Sequence, residues 1–167
     1  MKKLFYLLIA LLIMAAASCS SQQGNTIENT ADSSQTSVKK EFVGTMSIKD
    51  TITSGDSVLL KFIIRNGTDT TSKFLKWHTP FEPLLSKYLD IQNENGEVVD
   101  YKGAMAKRVM PPPADAYLSV NSKDSLITTV DLLKGYAIMK PGKYTVTYSG
   151  DNISGLKVPQ SVKFVYR

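Results

Sequence analysis

The residue with the widest chemical range in this 167-residue chain is its only histidine. His78 sits in the run Trp77-His78-Thr79-Pro80-Phe81-Glu82, four positions before a carboxylate. A His and a Glu so spaced can share a hydrogen bond. A general base also needs a nucleophile or a positioned water. The sequence specifies neither, so no catalytic residue and no cofactor are expected. One His and one Cys cannot assemble a zinc site of His and Cys ligands, so no metal is expected either. The run does offer an anchor for a protein partner: an aromatic ring, charge, and two prolines, Pro80 and Pro83, that stiffen the loop. The competing reading is structural, with Trp77 in the core and Pro80 shaping the crossover, because a lone Trp in a small β domain commonly packs inside. A second loop, Met105 to Pro113, carries Lys107, Arg108 and Met110 beside three consecutive prolines. Together these give the candidate partner-binding residues Trp77, His78, Pro80, Glu82, Lys107, Arg108 and Met110.

The elements that must position these residues read as strands. Val58, Leu60, Phe62 and Ile64 alternate with Leu59, Lys61, Ile63 and Arg65, and Tyr144, Val146 and Tyr148 alternate with Lys143, Thr145 and Thr147. Val162, Phe164 and Tyr166 repeat the pattern. A period of two puts one face on a core and the other toward water. Asn66-Gly67 closes one strand. Glu94-Asn95-Gly96-Glu97 reads as a hairpin between Leu89–Ile91 and Val98–Tyr101. Pro141-Gly142 fits a type II turn, and Pro111 to Pro113 an extended surface loop. The most helical stretch, Phe81 to Tyr88, is short and holds Pro83. About seven to nine strands are expected, in an all-β, immunoglobulin-like antiparallel sandwich. Tyr144, near the start of a strand, fits the tyrosine corner of such domains, in which the hydroxyl bonds upstream backbone.

Composition is uneven along the chain. Met1-Lys2-Lys3, the apolar run Leu4 to Met14 and small residues to Ser18 form a signal-peptide pattern. Its end, Ala16-Ala17-Ser18-Cys19, resembles the lipobox of bacterial lipoproteins, departing from it at Ala16, where Leu is most common. That resemblance implies a lipid on Cys19. From Ser20 to Lys40, 13 of 21 residues are Ser, Thr, Gln or Asn. So few apolar side chains cannot offset ordering entropy, and a disordered tether is expected. The expected organisation is a signal peptide over 1–18, lipidated Cys and tether over 19–41, and one sandwich domain over 42–167. Within 42–167 there are 16 basic and 12 acidic residues, an excess of 16 − 12 = 4 without a concentrated basic stripe. Nucleic acid is therefore not an expected partner. Asp50-Thr51, Asp56-Ser57, Asp69-Thr70 and Asp124-Ser125 resemble an O-glycosylation acceptor of some envelope bacteria, but ordinary turn chemistry accounts for them.

Several phrases resemble one protein family. Leu75-Lys76-Trp77-His78-Thr79-Pro80-Phe81-Glu82 is similar to the "LKW-x-TP-L-E" segment of the non-catalytic β-sandwich that precedes the catalytic domain in peptidyl-Lys metalloendopeptidases and related deuterolysin-like proteases. Tyr101 to Arg108 looks like that family's "Y-x-G-x-x-x-K-R", and Gly142 to Tyr148 like its "G-x-Y-x-V-x-Y". The resemblance spans Leu60 to Ser149. The family's catalytic half uses HExxH, two His one turn apart on zinc with a Glu to activate water. No HExxH occurs in this sequence. The resemblance thus implies an accessory, prodomain-like module without enzymatic activity, which binds or restrains an envelope or secreted protease or another protein. With the lipid signal it implies a cell-envelope protein anchored in a membrane, the outer membrane by the Ser20 that follows Cys19, facing periplasm or surface. The alternatives are a structural envelope scaffold and, less favoured, a hydrolase.

Overall fold

The computed structural model describes residues 42–167. The expected signal peptide, Cys19 and the tether to residue 41 lie outside the described residues. Nine strands are present among those described: β1 (Phe42–Ser47), β2 (Thr51–Ile52), β3 (Leu59–Asn66), β4 (Ser72–Leu75), β5 (Leu89–Asn93), β6 (Tyr117–Val120), β7 (Ser125–Asp131), β8 (Gly142–Tyr148) and β9 (Val162–Tyr166). One sheet has the order β1-β3-β7 and a second the order β2-β9-β8-β5. This is the expected all-β, immunoglobulin-like sandwich; its pairs are antiparallel except the two-residue β2 with β9, which run parallel.

The alternation seen in the sequence is the burial pattern. Val58, Leu60, Phe62 and Ile64 are fully buried, as are Leu89, Ile91, Leu132 and Val146. Each such side chain contributes roughly 1.5–3 kcal/mol on leaving water. Tyr144, Tyr148, Phe164 and Tyr166 close the core from the second sheet, with Tyr144 stacked on Phe164 at 5.3 Å. The Tyr144 hydroxyl donates to the Lys140 carbonyl four residues upstream (2.7 Å), the geometry of a tyrosine corner.

The small third pair, β4 with β6, prolongs β3 and β7. Arg65 faces Ser125 in one pair and Ser72 faces Val120 in the other. Six residues (66–71) separate the pairs on one strand and four (121–124) on the other, an unequal count that makes a bulge. Asn66 fills it. Its side chain is wholly buried, and its amide donates to the carbonyls of Thr70 (2.8 Å), Val120 (3.0 Å) and Asn121 (3.1 Å). Its Oδ1 accepts from the Thr68 amide (2.9 Å) and hydroxyl (2.8 Å). A buried amide is tolerated because every polar atom is matched.

Phe81 to Tyr88, the most helical stretch of the sequence, forms turns: Pro83 lacks an amide donor and Leu84 sits at φ 57°. The one α-helix among the described residues is the single turn Asp151–Ser154, ended by Gly155 in the left-handed region. Two local expectations are corrected. Val98 to Tyr101 is not a strand; only Val98 bridges to Gln92 and Tyr101 to Tyr136. Gly142, at φ 158°, is nearly extended and opens β8 rather than occupying a type II turn. At Asp124 the turn chemistry is visible: its carboxylate accepts from the Ser125 amide at 2.7 Å.

Candidate partner-binding site

The two candidate loops, read separately in sequence, form one unit. Trp77 leaves β4 and turns inward to 6% exposure. The Arg108 guanidinium lies 4.9 Å from the centre of the Trp77 ring, a cation–π contact. The same guanidinium grips Glu82 with both ends: Nη1 donates to Oε1 at 3.0 Å and Nη2 to Oε2 in a shorter bond. Both side chains are largely enclosed, Arg108 at 19% exposure and Glu82 at 12%. A planar fork against a carboxylate fixes orientation as well as distance, which a lysine could not do.

Thr79 aims Glu82. It is fully buried; its hydroxyl donates to the Lys76 carbonyl (2.5 Å) and accepts from the Phe81 amide (3.2 Å), while its carbonyl accepts from the Glu82 amide (3.0 Å). His78 adopts the left-handed φ of 56°. Its carbonyl accepts from the Tyr148 hydroxyl at 3.0 Å and lies close over Gly150, where a β-carbon would stand 2.1 Å from that oxygen. Burial, and then the positive Arg108 nearby, holds the His78 imidazole below its ordinary value near 6.5.

The second loop is pinned at its base. The Tyr101 hydroxyl donates to the carbonyls of Leu84 (2.8 Å) and Ala104 (2.9 Å), with its ring edge-on to Tyr136. Gly103 leaves room for that ring; a β-carbon there would lie 2.3 Å from the hydroxyl. Further along, the Ala106 amide donates to the Leu85 carbonyl (2.9 Å). The chain beyond is exposed, and Met105 (68%), Val109 (75%) and Met110 (74%) stand in solvent, with Leu85 (40%) beside Ala106. Lys107 is exposed, and Met110 joins Pro111 through a cis peptide bond.

The predicted residues therefore separate by role. Glu82, Arg108 and Trp77 are brought together, and His78 lies against them. Trp77 and Pro80 are buried, so as direct partner contacts they are corrected: they support the loops from beneath. Lys107 and Met110 remain on the surface and apart from the clamp. Sequence reasoning missed Thr79 and Tyr101 as positioning residues, and Val109 and Met105 as exposed apolar ones. The polar spacing Thr79-x-x-Glu82 was the available signal for the first. Among the described residues no three His, Cys, Asp or Glu side chains gather to hold a metal ion. A separate open groove of about 620 Å³ lies against β5, β8 and β9, lined by Gln92, Glu94, Lys143 and Lys163 among others.

With this geometry in hand, comparison with known families is decisive for the class. Residues 45–157 match the immunoglobulin-like domain model, and the chain belongs to that family. Among solved structures, Pseudomonas fluorescens alkylpurine DNA glycosylase AlkC bound to DNA containing an abasic site analog is 14% identical, with a TM-score of 0.38; the match covers 77% of this chain and 31% of that one. The CARDB domain of a Pyrococcus furiosus protein is 10% identical with a TM-score of 0.36, over 75% of this chain and 94% of that one. A comparison with curated proteins gives no match.

Proposed function

We propose that this immunoglobulin-like domain is a non-catalytic protein-binding module, tethered to a bacterial cell envelope by a lipid on Cys19, and that it engages a protease or another envelope protein through loop 102–113. The observation that carries the reading is the Arg108–Glu82–Trp77 clamp. It adds a hold at Arg108 to the bonds that pin the loop at its base, and that loop presents Met105, Val109 and Met110 to solvent. Holding apolar groups in place before contact lowers the ordering cost of binding. Flexible methionines suit a surface that must adapt to a partner. The resemblance to a protease accessory domain supports the partner class, because its two most specific phrases are the two halves of this clamp. Trp77, Thr79, Pro80 and Glu82 come from one phrase, and Tyr101, Gly103 and Arg108 from the other.

The test is binding and activity together. Envelope metalloprotease is assayed with and without added protein, and the complex is measured by titration. Val109→Asp combined with Met110→Asp abolishes binding and any effect on proteolysis without changing the melting temperature, since both side chains are exposed. No complex with any envelope protease, or a complex indifferent to these substitutions, refutes the site. Perturbed envelope integrity on depletion, with unchanged proteolysis, favours the structural scaffold instead. Intact-mass measurement of the native protein tests the lipid on Cys19 directly.

A further inference from the structure

The two outer faces of the sandwich differ in kind. On β1, β3 and β7 the odd-numbered residues face away from the core, because Met46, Leu60, Phe62, Ile64 and Val130 face into it. The registers align them in rows: Val43, Arg65 and Ser125, then Thr45, Ile63 and Ile127, then Ser47, Lys61 and Thr129. Leu59 pairs with Asp131 beyond them. The β4–β6 pair continues this face, with Lys73 beside Ser119 and Leu75 beside Tyr117, since Phe74 turns inward. Val43, Leu59, Tyr117 and Ile127 are exposed there, Ile127 at 57%. No strand of the β2-β9-β8-β5 sheet presents an exposed large apolar side chain. Its outward residues are polar in the main, Gln92, Lys143, Thr147 and Lys163 among them.

Lys61, Arg65 and Lys73 stand among these aliphatic groups, along β3 and its continuation β4. Among the described residues none of the three makes a hydrogen bond or an ion pair. The one acid among the outward strand residues of this face, Asp131, is already engaged. Its Oδ1 accepts from the amides of Val58 (3.1 Å) and Leu133 (3.2 Å). At the bulge between β3 and β4, Asp69 pairs with Lys123 at 2.8 Å. The face thus presents cations interleaved with aliphatic surface. A protein interface would strip water from the lysines, and such interfaces are depleted in Lys. At a lipid headgroup layer the apolar groups enter the acyl boundary while Lys and Arg stay hydrated beside phosphate. The layout of the chain points the same way. β1, an edge of this sheet, begins at Phe42, just after Lys39, Lys40 and Glu41 in the sequence. Cys19 is separated from it by 22 residues (20–41). A chain of that length, when flexible, has a reach of about 25 Å.

We infer that the outer face of β1-β3-β7, continued by β4-β6, rests on an anionic phospholipid surface. Lys61, Arg65 and Lys73 meet lipid phosphate, and Val43, Leu59 and Ile127 meet the acyl boundary. The membrane setting rests on the anchored reading proposed above, whereas the affinity belongs to the face itself. Each Lys or Arg held near such a surface strengthens binding about fivefold.

Every buried core residue lies between Met46 and Tyr166, so the chain from Ser20 keeps the whole core without the leader and Cys19. That chain is sedimented with vesicles of phosphatidylglycerol and phosphatidylethanolamine, and separately with vesicles of phosphatidylcholine. It binds the first and not the second, and about 0.5 M salt releases it. Lys61→Glu with Arg65→Glu weakens binding by about tenfold or more. Ile127→Ser weakens it about threefold. Lys143→Glu with Lys163→Glu makes the same change of charge on the opposite face and costs less than about threefold. No binding to the anionic vesicles overturns the inference. So does equal weakening by the two charge reversals, which would make net charge the cause, or an Ile127→Ser variant bound as tightly as wild type. Melting temperature is the folding control; should Lys61→Glu with Arg65→Glu melt early, Lys61→Gln with Arg65→Gln decides in its place. The lipid is read separately by mass. A native protein without lipid refutes the anchor and leaves this face standing, while a lipidated protein whose face ignores vesicles refutes this inference alone.

Discussion

Asn66 is the most exacting test of how this sandwich is held together. Its side chain makes five hydrogen bonds, to three carbonyls and to the amide and hydroxyl of Thr68. Asn66→Ala removes them all. The bond to Val120 is wholly buried and the other four are partly so. At a net value of about 0.5–1.5 kcal/mol each, with water rescuing some of the partly exposed groups, the loss is about 3–5 kcal/mol. For a domain this size a urea slope of about 1.5 kcal/mol/M turns that into a midpoint lower by about 2–3 M. Asn66→Asp separates hydrogen bonding from shape. The carboxylate keeps the Thr68 bonds but sets negative oxygen against the carbonyls of Thr70, Val120 and Asn121. That environment raises its folded pKa above the unfolded value of about 3.9. The variant is then least stable above its folded pKa and recovers relative to wild type as pH falls toward about 4. Urea melts at pH 7 and near pH 4.5 measure both effects. If Asn66→Ala shifts the midpoint by less than about 0.5 M, the bulge is held by something other than this side chain. If Asn66→Asp matches wild type at both pH values, the amide donors contribute nothing.

Other expectations follow from the clamp and its surroundings. Arg108→Ala leaves the enclosed Glu82 carboxylate unpaired and strips the Trp77 face, costing about 2–4 kcal/mol by chemical denaturation, while Glu82→Leu with Arg108→Met is nearly neutral because no charge is left behind. Strict additivity in that double-mutant cycle would show that the pair does not interact. Gly150→Ala costs about 1–3 kcal/mol although its φ is an ordinary −88°, since a β-carbon meets the rigid His78 carbonyl; an unchanged melting temperature would refute the close approach. His78, with its folded pKa lowered mainly by burial, makes stability fall as pH drops below about 6.5, where the unfolded chain takes up the proton first. His78→Asn, which tolerates the same φ, removes that slope below about pH 6.5. An identical slope in the variant would assign it to other groups.

The fold was legible where its cause is local. Alternation along 58–65, 144–148 and 162–166 named the buried faces, because neighbouring side chains of a strand point to opposite sides whatever lies across from them. Asn66-Gly67 marked the end of β3, but nothing in the dipeptide announced a buried amide. Its Val120 and Asn121 acceptors are 54 and 55 residues away, beyond any turn rule. Phe81 to Tyr88, short and interrupted by Pro83, carried no signal for the particular turns around Thr79 and Leu84 that its tertiary contacts impose. The clamp was half legible. The sequence pointed to Trp77, Glu82 and Arg108 in two separate loops, with no means of saying that one guanidinium would close over both a ring and a carboxylate 26 residues away.

By itself the sequence determined an all-β domain after residue 41, the residues facing its core and the loop residues that are candidates for recognising a partner, since periodicity and residue type act over a few positions of chain. Tertiary structure alone decided which of those side chains reach solvent. Trp77 and Pro80 went inward, and Met105, Val109 and Met110 stayed out. Exposure and pairing depend on contacts between segments tens of residues apart, and only the folded arrangement brings those segments together.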